Sequence, residues 1–280
     1  MTEEKLIFQP VFDREFCFES YGVRIRIESD RQELLEEAES VIRKALLNRI
    51  EIIDSKKVSP EHSFGIGSDE NGILYLYQDG KYNSHTEVKW GFFKYFNSLL
   101  RIVVAEHAVG KVFIHAGTVG WNGKAIIIPA NSFKGKTSLV AELVKNGAEY
   151  YSDEYAVLDE NGLVHPFARD LSIRPDDGSF KESDTPVESI GGIAGSDPLP
   201  VGMVLLTEFK AGAKWKPQIL TTGEGIIEVL PHTVPIRFNP EFSLKVLQTM
   251  ATGAIIVKSP RDDAKQFAKL LLNFFDNRNN

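Results

Sequence analysis

The sequence predicts an α/β fold: a mixed-sheet domain over residues 109–280, preceded by an α+β unit over 1–108. Three observations predict it. The chain changes character near Gly110. The apolar run Ala125 to Ile128 leads into a Gly/Lys-rich turn and then a helix, the strand–loop–helix start of an α/β domain. Upstream, Tyr21, Val23, Ile25 and Ile27 alternate with Arg24 and Arg26, the pattern of a half-buried strand.

The elements follow in order. Asp30 is placed to cap a helix through about Asn48, with Leu34, Leu35, Ala38, Val41, Ile42 and Leu46 on one face. Gly72 to Gln78 reads as a strand. Glu87 to Ala108 reads as a long helix whose Trp90, Phe93, Phe96, Leu100 and Val104 belong to the core. Lys111 to Ala116 is a short strand, and Asn122-Gly123 is a two-residue hairpin signal. Lys124 to Pro129 returns as a strand apolar enough to be buried on both faces. A helix from about Lys136 to Asn146 ends at Gly147, where a C-terminal cap belongs, and a strand spans Glu149 to Leu158. Residues 176–200, rich in Gly, Ser, Asp and Pro, read as a surface loop. Val201 to Phe209 is a strand. Two helices close the chain, one opened by Asn239 and Pro240, the other by Ser259 and Pro260.

A chain of 280 residues suits roughly two domains. Lys and Arg number 32 against 39 Asp and Glu, a net charge of −7. That balance argues against a nucleic-acid partner, because a phosphate backbone demands a basic footprint. The single cysteine, Cys17, cannot form an internal disulfide and reads as a small residue in a strand. No basic-then-apolar leader is seen, and no apolar run is long enough to span a bilayer. A soluble cytoplasmic protein with no membrane partner is expected; the long apolar helices leave room for a homo-oligomer.

The informative stretch is Ala130-Asn131-Ser132-Phe133-Lys134-Gly135-Lys136-Thr137. It fits the phosphate-binding loop, with Ala in the first glycine position. A turn ahead of a helix offers clustered N–H donors to a polyphosphate. Gly135 permits close backbone approach, Lys136 would hold the β- and γ-phosphates, and the Thr137 hydroxyl would ligate Mg²⁺.

Sixteen residues on, Asp153 and Glu154 stand together in Tyr150-Tyr151-Ser152-Asp153-Glu154-Tyr155. Neighbours on a strand point to opposite faces, so both reach one site only at a strand end or a bulge. One acid could organise Mg²⁺ while the other accepts a proton from an attacking hydroxyl; a solvated turn is the plainer reading. His115 is either a satisfied core histidine or a group near the γ-phosphate end. Arg169 and Arg174 could steady phosphate charge or form surface ion pairs. His62, His85, His107, His165 and His232 show no metal-ligand spacing.

Together, Phe113-Ile114-His115-Ala116-Gly117, the run Ala130 to Thr137 and Ser152-Asp153-Glu154 resemble the core of the HPr kinase/phosphorylase family and its wider group of HPr-kinase-like bacterial proteins. The resemblance covers about residues 110–175 and is weaker beyond. It implies the fold shared with phosphoenolpyruvate carboxykinase, ATP and Mg²⁺ as cofactors, and His115, Asp153 and Glu154 around the γ-phosphate and acceptor hydroxyl. The second acid of that family is usually aspartate, and Phe133 replaces a common glycine. A Glu-Ile-Arg-Gly-type signature is absent; Ala168 to Ile173 stands in its place, which argues against HPr itself as acceptor.

The resulting expectation is an ATP- and Mg²⁺-dependent kinase acting on a hydroxyl, a serine of a protein or peptide. Residues 130–137 and Arg169 would bind nucleotide, Thr137 and Glu154 the metal, and Asp153 would act as base. A nucleotide-binding regulatory module and a small-molecule hydroxyl kinase are the alternatives, and the reverse phosphorylase direction is open.

Overall fold

The computed structural model describes residues 8–130, 135–173 and 183–279. They fall into two compact units, Met1–Val109 and Gly110–Asn280.

In the first unit, β1 (Arg14–Ser20) and β2 (Val23–Ser29) form a hairpin. Its turn residues, Tyr21 and Gly22, both take positive φ. Val23, Ile25 and Ile27 are buried while Arg24 and Arg26 are not, as their alternation requires. Then come α1 (Gln32–Ala45), β3 (Glu51–Ile53), β4 (His62–Ser68), β5 (Leu74–Gln78), β6 (Lys81–Thr86) and α2 (Lys89–His107). The sheet order is β3-β1-β2-β4-β5-β6, with β2 and β4 parallel. Both helices share one core with the sheet, around Phe64, Phe96 and Ile42.

Two expectations for this unit change, and strand β4 was not expected. Asp30 does not cap α1: Arg31 is the N-cap, without a side-chain bond, and the Asp30 carboxylate accepts from the Ser68 N–H. Trp90 is 71% exposed, lying in the first turn of α2 with the Lys94 ammonium over its ring. Strand β4 escaped the periodicity because Gly65 and Gly67 interrupt it. Those glycines are required by packing: a Cβ on Gly65 would lie 2.4 Å from the Phe12 ring.

The second unit contains β7 (Lys111–Trp121), β8 (Lys124–Pro129), α3 (Lys136–Lys145), β9 (Glu149–Ser152), β10 (Tyr155–Asp159), β11 (Leu163–His165), β12 (Leu171–Ile173) and β13 (Ser183–Thr185). It continues with β14 (Leu199–Leu206), β15 (Gln218–Ile219), α4 (Thr222–Val229), α5 (Pro240–Gly253), β16 (Ile255–Lys258) and α6 (Ala264–Asn279). The main sheet is mixed. Its order is β11-β10-β7-β8-β14-β16-β15, with β9 also on β7. Strands β8, β14 and β16 are parallel to one another.

Strand β8 is buried on both faces. Ile126 and Ile128 meet α3 and α6 on one side, with Leu139, Phe267 and Leu271. Ala125 and Ile127 meet α4 and α5 on the other, with Val229, Val246 and Leu247. The Asn122-Gly123 loop has positive φ at both residues, the geometry that suits a two-residue hairpin. Gly147, at φ 96°, closes α3: its N–H donates to the Val144 carbonyl and that of Ala148 to the Leu143 carbonyl.

Five boundaries differ here: β7 continues past Ala116 to Trp121 as it pairs with β8, and β14 spans Leu199–Leu206 rather than Val201 to Phe209. The strand expected over Glu149 to Leu158 is two strands, broken at Asp153 and Glu154. Residues 183–200 are not a free loop: β13 and a 3₁₀ turn at Val187–Ile190 form, Val187 is buried, and Tyr150 and Ala194 form a β-bridge. Residues 174–182 of that stretch, Arg174 among them, lie outside the described residues. The last helix starts at Ala264, not at Pro260. Asp263 caps it, accepting from the Lys265 and Gln266 N–H groups, while Ser259 accepts from the Lys216 N–H. Among the described residues, no helix is long and apolar enough to cross a membrane.

Candidate functional site

The site is assembled where three segments meet on β7. The first is the start of α3. Gly135, at φ 77°, precedes the helix in the left-handed region, and Lys136 is its first residue. Gly117 on β7 lies beneath: a Cβ there would come within 2.6 Å of Val140 Cγ2 and 3.0 Å of Lys136 Cγ. The absence of a side chain at Gly117 therefore lets α3 settle onto the strand. Lys136 ends up only 9% exposed. Its ammonium donates to His115 Nε2 over 2.9 Å. Burial pulls the Lys136 pKa from its ordinary 10.5 to about 8, against the opposing pull of Asp153.

The second segment is the break between β9 and β10. Ser152 causes it, its hydroxyl oxygen accepting from the N–H groups of Glu154 and Tyr155. The interruption lies against the middle of β7, where the Ala116 N–H donates to the Glu154 carbonyl. Asp153 turns inward and is buried. Its carboxylate accepts three hydrogen bonds: from Thr137 Oγ1 at 3.1 Å, from the Tyr150 hydroxyl at 3.0 Å and from the Ser172 N–H at 3.2 Å. The Tyr150 phenol is 1% exposed, and burial, followed by the Asp153 charge, pushes its pKa far up. It remains a donor at all working pH values.

The third segment runs from Phe167 to β12. Arg169 donates to Glu154 Oε2 over 2.7 Å, and both side chains are mostly buried. The ion-pair reading of Arg169 is thus the one its geometry displays.

So the structure brings His115, Lys136, Thr137, Asp153, Glu154 and Arg169 to one region. Ala130 is buried at the end of β8. Asn131, Ser132, Phe133 and Lys134 lie outside the described residues. No cluster of three or more His, Cys, Asp or Glu able to hold a metal is found among the described residues. Mg²⁺ does not need one, since it keeps waters and phosphate oxygens around one or two protein ligands. The Thr137 hydroxyl and Asp153 carboxylate, two hard oxygen donors 3.1 Å apart beside the loop, fit that requirement.

Three further residues bear on the site. Tyr150 and Ser172 hold Asp153. Arg261, 2% exposed, donates from Nη2 to the Gly135 carbonyl at 2.8 Å. Tyr150 could have been noticed as a hydroxyl three residues before the first acid. Arg261 carries no local signal, because it reaches the loop from 126 residues away.

A cavity of about 370 Å³ opens at the carboxyl ends of β8, β14 and β16, bordered by Ala130, Thr207, Lys210, His232 and Ser259. Crevices at that end of parallel strands are where α/β sheets bind ligands. A larger cavity, about 520 Å³, lies by the Asn122-Gly123 hairpin and contains none of these residues. The smaller one has the stronger claim, because it borders the loop.

No protein-family model matches the chain, and no curated protein matches it. Among solved structures, the HPr(Ser) kinase/phosphatase from Coxiella burnetii is similar over 60% of this chain and 95% of its own. The identity is 12% and the TM-score 0.32. That likeness is distant and assigns no activity.

Proposed function

We propose that the chain is an ATP- and Mg²⁺-dependent phosphotransferase acting on a hydroxyl, with a serine of a protein or peptide as acceptor. The observation that carries this reading is the pairing of a buried lysine at the start of α3 with a Thr137–Asp153 oxygen pair one residue further along. The buried Lys136 ammonium is hydrogen-bonded to an imidazole, not to a carboxylate, and a phosphate would supply a negative charge in direct contact. The broken strand puts the two acids where a strand could not. The fold type that goes with this reading is that of the phosphoenolpyruvate carboxykinase and HPr kinase group, which the loop and paired-acid motifs resemble.

Mg²⁺, when bound, would offset charge on the phosphates, and Thr137 would hold it. The sequence alone gave the metal to Glu154 and the base role to Asp153. Because the Thr137 hydroxyl meets Asp153 and not Glu154, we favour the reverse division. Asp153 would join Thr137 in holding the metal, and Glu154 takes the acceptor's proton as the hydroxyl oxygen bonds to the γ-phosphorus and ADP leaves. Lys136 and the loop bind the phosphates, and His115 orients the lysine. Arg169 orients Glu154.

One observation favours a second reading. The Glu154–Arg169 ion pair occupies the acid that would have to accept the proton, which suits a domain that binds nucleotide and transfers phosphate slowly. Transfer of labelled γ-phosphate to a serine-peptide library, against ATP affinity on the same sample, separates the two. Incorporation supports the kinase; tight binding without incorporation supports the regulatory module.

A further inference from the structure

Arg261 stands just beyond β16, and its backbone is fixed on both sides. Its N–H donates to the Glu208 carbonyl, and the Lys210 N–H donates to its own carbonyl. Nη2 meets the Gly135 carbonyl and Nη1 the Asp262 carbonyl. Nε is buried and has no hydrogen-bond partner among the described residues. Asp263 acts on the guanidinium electrostatically, yet the Asp263 carboxylate is engaged in capping α6.

A guanidinium taken out of water without a carboxylate against it is costly. Arg261 is such a case at 2% exposure, and the Lys136 ammonium, 9% exposed with Asp153 acting on it, is a second buried cation beside it. The last residue of the loop lies against the guanidinium: a Cβ on Gly135 would be 2.6 Å from Nη2. Positive φ favours glycine there, and a side chain would displace the end of Arg261. Two buried cations flanking one turn call for an anion with several charges, not one.

We propose that Arg261 is a second phosphate-binding cation of the loop, opposite Lys136 across Gly135, and that the pair selects polyphosphate over monophosphate. The inference deepens the nucleotide reading and rests on it.

The test is calorimetric titration of the full chain with ATP, inorganic pyrophosphate and inorganic phosphate, for wild type and Arg261→Met, with melting curves taken without ligand. Replacing an uncompensated buried charge by an apolar chain of similar length should leave the unliganded melting temperature equal or higher. ATP and pyrophosphate should bind at least fivefold more weakly, and inorganic phosphate should bind wild type far more weakly than pyrophosphate. A folded Arg261→Met that keeps ATP and pyrophosphate affinity within fivefold overturns the proposal and leaves Arg261 a structural tie to Gly135. If Arg261→Met fails to fold, Arg261→Gln keeps a donor for the Gly135 carbonyl without the charge, and the same fivefold threshold decides. Wild type that binds pyrophosphate but not ATP, with the Arg261 variant weakened, sustains Arg261 and sinks the nucleotide reading. Wild type that binds neither overturns both.

Discussion

The Thr137 hydroxyl donates to Asp153 Oδ2 over 3.1 Å, so the first turn of α3 and the break between β9 and β10 meet at a single pair of oxygens. That contact divides the labour of the two acids, and it yields the first prediction. Asp153→Asn should raise the Mg²⁺ concentration needed for half-maximal turnover. Glu154→Gln should lower turnover by roughly 10²–10⁴-fold while ATP affinity stays near wild type. Initial rates across a Mg²⁺ series check both. An unchanged Mg²⁺ requirement in Asp153→Asn would return the base role to that residue.

The tyrosine behind Asp153 is predicted to matter through its hydroxyl alone. Tyr150→Phe keeps the ring in the core but removes one of the three donors to the carboxylate. A buried acceptor left unpaired costs about 1–3 kcal/mol, which urea melts should show. The variant should share the higher Mg²⁺ requirement of Asp153→Asn in milder form. Wild-type stability together with a wild-type Mg²⁺ requirement would remove Tyr150 from the site.

Gly135→Ala should weaken the turn through its backbone and displace Arg261. A residue with a Cβ in the left-handed region costs about 1–2 kcal/mol, and the new atom would meet Arg261 Nη2. Melting temperature and ATP affinity should fall together. Retention of both would mean that the loop tolerates a shifted turn.

Lys136 gives a pH signature. Its pKa is about 8 in the folded chain and 10.5 when unfolded. Between those values the unfolded chain binds more protons, so this residue's contribution to stability rises with pH across the window. A bound phosphate favours the ammonium. Titration with ATP at pH 9, without Mg²⁺, should therefore take up a proton. Calorimetry in two buffers of different ionisation enthalpy reads the uptake directly, and Lys136→Met should abolish it. No uptake in wild type would mean that the phosphate does not reach the ammonium.

Much of this was legible in the chain. Strand β8 announced its two buried faces through Ala125 to Ile128, and Asn122-Gly123 and Gly147 announced their turns, because each signal is local. The residues that the structure gathers around Asp153 stood out in the chain too, since the loop and the paired acids are short motifs. What failed to show was non-local. Arg261 finds Gly135 across 126 residues. Strand β4 hides behind glycines whose reason is the Phe12 and Pro10 side chains pressed against them. The break at Ser152 looked like continuous strand because a hydroxyl that captures two N–H groups leaves no mark on hydrophobic periodicity.

The central claim is that the loop before α3 binds a nucleotide through Lys136. Calorimetric titration of Mg²⁺-ATP into wild type and Lys136→Ala tests it most directly. The account predicts saturable binding by wild type and its loss in a variant that still melts cooperatively. Equal binding by both, or none by a folded wild type, would contradict it.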